Sequence, residues 1–184
     1  MFEQTVREYR AVIAACRELF ANKTRDYGTS WRILRLPSLT DQIYIKAKRI
    51  RSIQEKGIQK INENISDEFV AIVNYGLIAL MQSSYDATIP LDLSMEQTLA
   101  DYDRAAAENL ELLMAKNHDY GEAWRDMRVS SITDIILMKL LRIKQIEDNE
   151  GKTLVSEGVT ANYRDIVNYS VYALILMGFP NNKS

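Results

Sequence analysis

Three carboxylates in the second half of the chain have the spacing of a metal site. Glu108 and Glu111 are three residues apart and share one face of a predicted helix, and Asp165 lies on a later predicted helix. Oxygen ligands of this kind suit a hard cation such as Mg²⁺, which could polarise a phosphate and help to generate an attacking water. These acids are the candidate catalytic and metal-binding residues, with magnesium as the expected cofactor. The alternative is that Glu108 and Asp165 are ordinary surface carboxylates.

Basic and polar residues accompany the carboxylates and suggest a phosphorylated ligand. Arginine offers two parallel donors to phosphate oxygens, and lysine offers a point charge, so several of them together suit a di- or triphosphate. The candidate ligand-binding residues of the second half are Lys116, Asp119, Arg125, Arg128, Lys139, Arg142 and Asn168. Those of the first half are Lys23, Asp26, Arg32, Arg35, Lys46 and Arg49.

The two sets correspond because the chain contains one unit twice. The segment KTRDYGTSWRILRLPSLTD at 23–41 returns as KNHDYGEAWRDMRVSSITD at 116–134. A shift of 93 residues aligns 2–53 with 95–146, with 22 of 52 positions identical, and after a one-residue insertion IVNY at 72–75 matches IVNY at 166–169. Such self-similarity indicates a tandem duplication. We assign repeat one to residues 2–81, a linker to 82–94 and repeat two to 95–178.

The repeats differ at the carboxylates. Glu108 aligns with Ala15 and Asp165 aligns with Ala71, whereas Glu111 is retained as Glu18. One complete acidic cluster and one stripped cluster are typical of a duplicated protein in which a single site survives. We therefore expect the site in repeat two.

Each repeat is predicted to form three helices. The first ends at a glycine, Gly28 or Gly121, which can adopt the left-handed conformation that closes a helix. The second begins at Ser38 or Ser131, whose hydroxyl could cap the helix while the aspartate three residues later returns the bond. The third is an apolar run. With only three prolines, seven glycines and no alternating pattern, the sequence predicts an all-α six-helix bundle in which two three-helix repeats pack about a pseudo-twofold axis.

Composition limits the class of partner. The formal net charge is -2 and the pI about 5.6, so no global field attracts nucleic acid or a membrane. The polar N-terminus, MFEQTVREYR, does not resemble a signal peptide, and the longest apolar runs are too short to span a bilayer. We expect a cytoplasmic, soluble protein whose partner is a nucleotide or other phosphorylated small molecule rather than nucleic acid. Homo-oligomerisation is left open.

A purely structural role for the charges is the main alternative. Lys139 and Arg142 share one face of a helix that is otherwise apolar, and Asp165 and Asn168 share one face of another. A buried cation needs an anion, so these helices could form a salt-bridge network without binding any ligand. Trp31 and Trp124 and the single cysteine, Cys16, are predicted core residues, as in any helical bundle.

The ordered set of residues resembles the nucleotide modification associated domain of bacteria and phages. The pattern is a Lys-x-x-Asp-Tyr-Gly motif, an aromatic residue, Lys-x-x-Arg on a second helix and Asp-x-x-Asn-Tyr on a third. Repeat two carries it as Lys116, Asp119-Tyr120-Gly121, Trp124, Lys139, Arg142, Asp165 and Asn168-Tyr169. Repeat one carries it as Lys23, Asp26-Tyr27-Gly28, Trp31, Lys46, Arg49 and Asn74-Tyr75, with Ala71 at the aspartate position. The resemblance implies a nucleotide or modified nucleotide as ligand.

In layout the chain is also similar to the all-α nucleoside triphosphate pyrophosphohydrolases of the MazG and dimeric dUTPase type. Those enzymes hold magnesium with Glu-x-x-Glu on one helix and Glu-x-x-Asp on another. Here the first motif is Glu108-x-x-Glu111, and the second is Asn162-x-x-Asp165 in repeat two and Glu68-x-x-Ala71 in repeat one. This resemblance implies magnesium-dependent hydrolysis of a nucleotide, and the competing hypothesis is a non-catalytic helical interaction protein.

Overall fold

A computed structural model describes residues 2–57 and 64–181 of the protein, and in this part six long helices occur and no strand. This confirms the predicted all-α six-helix bundle. Repeat one supplies α1 (Glu3–Tyr27), α2 (Leu36–Lys56) and α3 (Ile65–Ser84), and repeat two supplies α4 (Met95–Tyr120), α5 (Val129–Asp148) and α6 (Val159–Leu176). A short 3₁₀ turn, Ser30–Ile33 or Ala123–Asp126, links the first two helices of each repeat.

Glycine ends the first helix of each repeat, as predicted. Gly28 has φ +63° and Gly121 has φ +69°, and the backbone N–H of each donates to the carbonyl four residues earlier. Residues with a Cβ rarely adopt this conformation, so the glycines stop α1 and α4 and turn the chain into the 3₁₀ segments.

The predicted start of the second helices is wrong. α2 begins at Leu36 and α5 at Val129, two residues before Ser38 and Ser131, and no side chain caps either helix. Pro37 fits within the first turn of α2 because the amide that proline lacks would have no helical partner there. The capping-box interpretation of the serines is therefore incorrect.

The aspartates assigned to those capping boxes contact the other repeat instead. Asp41 on α2 pairs with Lys144 on α5 at 2.9 Å, and Asp134 on α5 pairs with Arg51 on α2 at 3.7 Å. Arg51 and Lys144 occupy equivalent positions of the two repeats. The two ion pairs are therefore equivalent contacts between α2 and α5, each with its aspartate on the opposite helix.

Buried hydrogen bonds repeat this reciprocity. The Tyr9 hydroxyl of repeat one donates to Asn168 Oδ1 of repeat two at 2.9 Å, and the Tyr102 hydroxyl of repeat two donates to Asn74 Oδ1 of repeat one at 2.7 Å. Each asparagine also donates to a main-chain carbonyl within its own repeat, that of Asn109 or Cys16. Exchanged contacts between equivalent residues are what a pseudo-twofold axis produces.

Both repeats contribute to one hydrophobic core. α3 and α6 lie at its centre, and their apolar residues, such as Phe69, Leu77 and Ile166, are fully buried. Cys16 and Trp124 are buried in this core as expected, whereas Trp31 is half-buried at its edge. Among the described helices, none combines the length and apolar character needed to cross a bilayer.

Gly76 sets the closest approach of α3 and α6. A Cβ at this position would lie 2.5 Å from Cγ2 of the buried Val167. Valine has one strongly preferred rotamer in a helix and cannot turn away, so the helices would have to separate. We expect Gly76→Ala to lower the free energy of unfolding by about 1–3 kcal/mol in urea titrations, despite the better helix propensity of alanine. Val167→Ala removes the Cγ2 atom that the new Cβ would meet, so Gly76→Ala should cost less in that background, and an equal loss in both backgrounds would contradict this explanation.

Candidate functional site

Asp165 is the centre of the charged cluster in repeat two. Its Oδ1 accepts a bond from Lys116 Nζ at 2.6 Å, and its Oδ2 accepts one from Lys139 Nζ at 2.8 Å. The cluster therefore joins α4, α5 and α6 through one carboxylate. The salt-bridge alternative is thus present in part, since Lys139 of α5 pairs with Asp165 of α6.

The two lysines determine the ionisation of Asp165. Burial alone would raise the pKa of this carboxyl, but hydrogen bonds from Lys116 and Lys139 and their charges outweigh burial and hold its pKa below the usual value. Asp165 is therefore ionised at neutral pH. Both of its oxygens already accept from an ammonium group.

The other two acids of the predicted magnesium site do not join Asp165. Glu108 is exposed and lies 3.7 Å from Arg164, and Glu111 is exposed on α4. Within residues 2–57 and 64–181, no group of three acidic, histidine or cysteine side chains could hold a metal ion. The expected convergence of the three carboxylates is thus wrong, and these residues do not fit a magnesium ion. Spacing placed Glu108 and Glu111 on one face correctly, but that face is turned towards solvent.

Repeat one builds a related cluster around a different carboxylate. Glu68, only 2% exposed, accepts from Arg49 at 2.8 Å and lies 3.6 Å from Lys46. Lys46 is equivalent to Lys139 and Arg49 to Arg142, but Glu68 is equivalent to Asn162, three residues before Asp165. The acid has moved by one helical turn between the repeats. Lys46 and Arg49 are consequently neutralised together.

Because Asn162 takes the place of Glu68 in repeat two, Arg142 lacks the ion pair that the equivalent Arg49 makes. It is exposed and lines an open cleft of about 650 Å³ between the end of α5, the segment 152–157 and Asn162 at the start of α6. In the described part of the chain no carboxylate lies within ion-pairing distance of Arg142, since Asn162 stands where repeat one has Glu68. Lys139 lines the same cleft while keeping its bond to Asp165.

Two of the predicted ligand-binding arginines instead hold the chain together. Arg125 donates to Thr5 at 2.7 Å and to Glu8 at 3.1 Å, and so ties the second 3₁₀ turn to the start of α1. Arg32 is buried and donates to the carbonyls of Ile89 and Pro90, which ties the first turn to the linker. These contacts satisfy both guanidinium groups, so their role is structural.

The comparison with known proteins gives a family. Two segments, 23–83 and 116–177, match the family described as nucleotide modification associated domain 1, and together they make up about two thirds of the chain. The chain belongs to this family. No curated protein and no solved structure matched it. The match confirms the resemblance and the tandem arrangement of the sequence.

The two segments that match the family include some of the predicted site residues and exclude others. Each begins at the lysine of the Asp-Tyr-Gly motif, Lys23 or Lys116, so all predicted basic positions lie inside them. Glu108 and Glu111 lie outside. The part of the sequence that defines the family thus includes the cations and Asp165, and leaves out two of the three proposed metal ligands.

The remaining candidates occupy helix ends and surfaces. Asp26 and Asp119 are exposed near the ends of α1 and α4, and Asp119 contacts His118 at 3.1 Å. Arg35 and Arg128 are exposed at the residue before α2 and α5. Asn168 is buried and takes part in the hydrogen bonds between repeats. The remaining member, Lys23, lines a smaller cavity in repeat one.

The segment after α5 is a part of the cleft that sequence reasoning missed. Thr153 and Ser156 supply polar groups to its wall, and the neighbouring Leu154 and Val155 are fully exposed although apolar. A pair of aliphatic residues in a polar loop bounded by Gly151 and Gly158 is the signal that could have indicated a ligand contact.

Proposed function

We propose that the protein binds a nucleotide or modified nucleotide in the cleft of repeat two, with the phosphate against Arg142. The observation that carries the proposal is the change from Glu68 to Asn162. In repeat one a carboxylate lies between the equivalents of Lys139 and Arg142, and in repeat two Asn162 takes its position at an open cleft. Glu157 also lines this cleft, but no ion pair joins it to Arg142 among the described residues. A phosphate group would restore the balance of charge.

Other groups on the cleft wall suit the same ligand. Lys152 adds a cation, and its pairing with Glu150 at 3.3 Å is exposed and therefore weak. The Ser156 hydroxyl and the second amide hydrogen of Asn162 can donate to phosphate or sugar oxygens. The Thr153 hydroxyl already donates to the Ser156 carbonyl at 2.7 Å. The volume, about 650 Å³, falls within the range of small-molecule sites, roughly 300–1,000 Å³.

Leu154 and Val155 supply the apolar contact that a nucleobase requires. Both are fully exposed at the cleft wall. Covering aliphatic surface with a planar base removes it from water, which is favourable by about 25 cal/mol per Å² of apolar area. We restrict the proposal to binding and derive no hydrolytic step, because the acids of the described residues do not form a magnesium site.

The competing function, a non-catalytic interaction protein, is supported by a different set of contacts. Asp165 and Glu68 each join two cations, and Arg32 and Arg125 are used to fix the linker and α1. Such a network needs no ligand. Only the exposed Arg142 and its cleft distinguish the two hypotheses.

A thermal-shift titration with nucleoside mono- and triphosphates, with and without Mg²⁺, tests the proposal. A ligand at about 100 times its Kd stabilises the folded state by about 2.7 kcal/mol, which for a chain of this size raises Tm by about 5–10 °C. We expect Arg142→Gln to remove most of that rise. Arg7→Gln, a substitution of the same type at an exposed position of α1, should leave it intact.

The outcomes separate the hypotheses. If no nucleotide raises Tm in either condition, the interaction-protein hypothesis is preferred. A rise that persists in Arg142→Gln would place the nucleotide elsewhere. A rise in Tm that occurs only with Mg²⁺ would indicate that the ion binds together with the nucleotide phosphates.

A further inference from the structure

Repeat one contains a separate cavity beside its Asp-Tyr-Gly motif. It has a volume of about 220 Å³ and lies between α1, the first 3₁₀ turn and α3. Its walls include the rings of Phe20 and Trp31, the short side chain of Ala71, and Lys23. This cavity belongs to the other repeat and shares no lining residue with the cleft proposed to bind the nucleotide.

Two residues that line this cavity are replaced by larger or charged side chains in repeat two. Tyr172 stands where repeat one has Ile78, and its ring stacks on Trp124 with centroids 4.2 Å apart and planes 7° from parallel. Asp165 stands where repeat one has Ala71. At these two positions repeat one has smaller apolar groups in place of an aromatic ring and a carboxylate, while its Phe20 stands where repeat two has Leu113.

The same replacement changes the charge. In repeat two the carboxylate of Asp165 pairs with Lys116 at 2.6 Å. Its counterpart Lys23 has Ala71 opposite and is exposed at the cavity, with no carboxylate in ion-pairing distance among the described residues. The cavity thus combines aromatic walls with an unpaired ammonium group. The indole Nε1 of Trp31 is buried without a hydrogen-bond partner in the described part of the chain, and so is that of the equivalent Trp124 in repeat two.

We infer that this cavity binds a compact single-ring carboxylate, with its carboxylate on Lys23 and its ring against Trp31 and Phe20. The ligand replaces both groups that repeat one lacks, the carboxylate of Asp165 and the ring of Tyr172. A cavity of about 150 Å³ is enough for benzene, so 220 Å³ accommodates one ring with a carboxylate. The volume is below the roughly 300 Å³ at which sites for larger ligands begin, which excludes a whole nucleotide.

Benzoate is the probe for the test, with benzyl alcohol as its neutral analogue, and binding is measured by calorimetry and saturation-transfer NMR. We expect benzoate to bind the full-length protein with a Kd of about 1 mM or lower and benzyl alcohol to bind at least about ten-fold more weakly. Ala71→Asp restores the carboxylate of repeat two, so it should weaken benzoate about ten-fold or more while leaving Tm unchanged or higher. Lys23→Met, at an exposed position, should do the same.

The matched control is Arg142→Gln, which alters the other cleft and should leave benzoate affinity unchanged. Absence of benzoate binding at about 10 mM overturns the inference. So does equal affinity in the original protein and in Ala71→Asp, or equal affinity for benzoate and benzyl alcohol. Because the nucleotide titration uses the cleft of repeat two, either proposal can fail while the other holds.

Discussion

Asp165→Asn is expected to lower the free energy of unfolding by about 2–4 kcal/mol, the largest stability effect of any single change discussed for this protein. The substitution keeps the shape of the side chain but leaves Lys116 and Lys139 without their anion. Lys139 contributes most of the loss because its side chain is only 12% exposed, whereas Lys116 remains accessible to water. Chemical denaturation at neutral pH measures the change.

The pH dependence of this loss identifies its cause. The pKa of Asp165 is lower in the folded protein than in the unfolded chain, where an aspartate titrates near pH 3.9. The stabilisation is therefore complete above about pH 4 and is lost as the pH falls through the lower folded value. The difference between the original protein and Asp165→Asn should shrink below about pH 4. Asp119→Asn, the same substitution at an exposed aspartate of the Asp-Tyr-Gly motif, should change the free energy of unfolding by less than about 0.5 kcal/mol.

Two results would contradict the electrostatic explanation. One is a variant at Asp165 that is as stable as the original protein at neutral pH. The other is a loss of stability that stays constant from neutral to acidic pH, which would indicate disturbed packing in α6 rather than missing ion pairs.

Asn162→Glu is expected to have the largest effect on binding. It recreates in repeat two the carboxylate that Glu68 provides in repeat one, where that group lies within 3.6 Å of Lys46 and 2.8 Å of Arg49. The new carboxylate would occupy the position proposed for the phosphate and repel it. We expect nucleotide affinity to fall by about 100-fold, equivalent to roughly 2.7 kcal/mol.

The neutral control at the same position separates charge from size. Asn162→Gln has nearly the same length as Asn162→Glu but no charge, so it should retain affinity within about three-fold of the original protein. The amide of Asn162→Gln can still donate to the Gly158 carbonyl, whereas the carboxylate of Asn162→Glu cannot, so the unfolding free energy of both variants is measured beside their affinity. An equal loss of nucleotide affinity in the two variants would mean that the size of the side chain at position 162 matters and that the negative charge of the glutamate does not. Calorimetric titration of the nucleotide that gives the largest thermal shift measures both.

Much of the fold follows from the sequence because its signals are local or repeated. The apolar runs of α3 and α6 and the glycines after α1 and α4 are set by neighbouring residues, and the duplication predicts the pseudo-twofold arrangement. The starts of α2 and α5 were misplaced because a serine with an aspartate three residues later was interpreted as a capping box. The same aspartate can instead face outwards and form an ion pair. Asp41 is used in that way, against Lys144.

The site was only partly predictable because it depends on how helices are rotated against each other. Periodicity correctly placed Lys139 and Asp165 on polar faces of α5 and α6, which meet. It placed Glu108 and Glu111 on one face of α4 without showing that both are exposed there and that Glu108 lies beside Arg164. The alignment of the repeats already placed Glu68 opposite Asn162. Only the structure shows that Glu68 pairs with Arg49 and that the equivalent Arg142 is exposed.

The hydrogen bonds between Tyr9 and Asn168 and between Tyr102 and Asn74 bear on how such a chain could have arisen. A single three-helix unit with these residues would leave its own asparagine without a donor, so it would have to assemble with a second copy as a symmetric dimer carrying two identical pockets. In a single chain that contains both units, the two halves need not be identical. In such a chain one half can carry Asp165 and the other Glu68, so the charged cluster of one half can change without a matching change in the other.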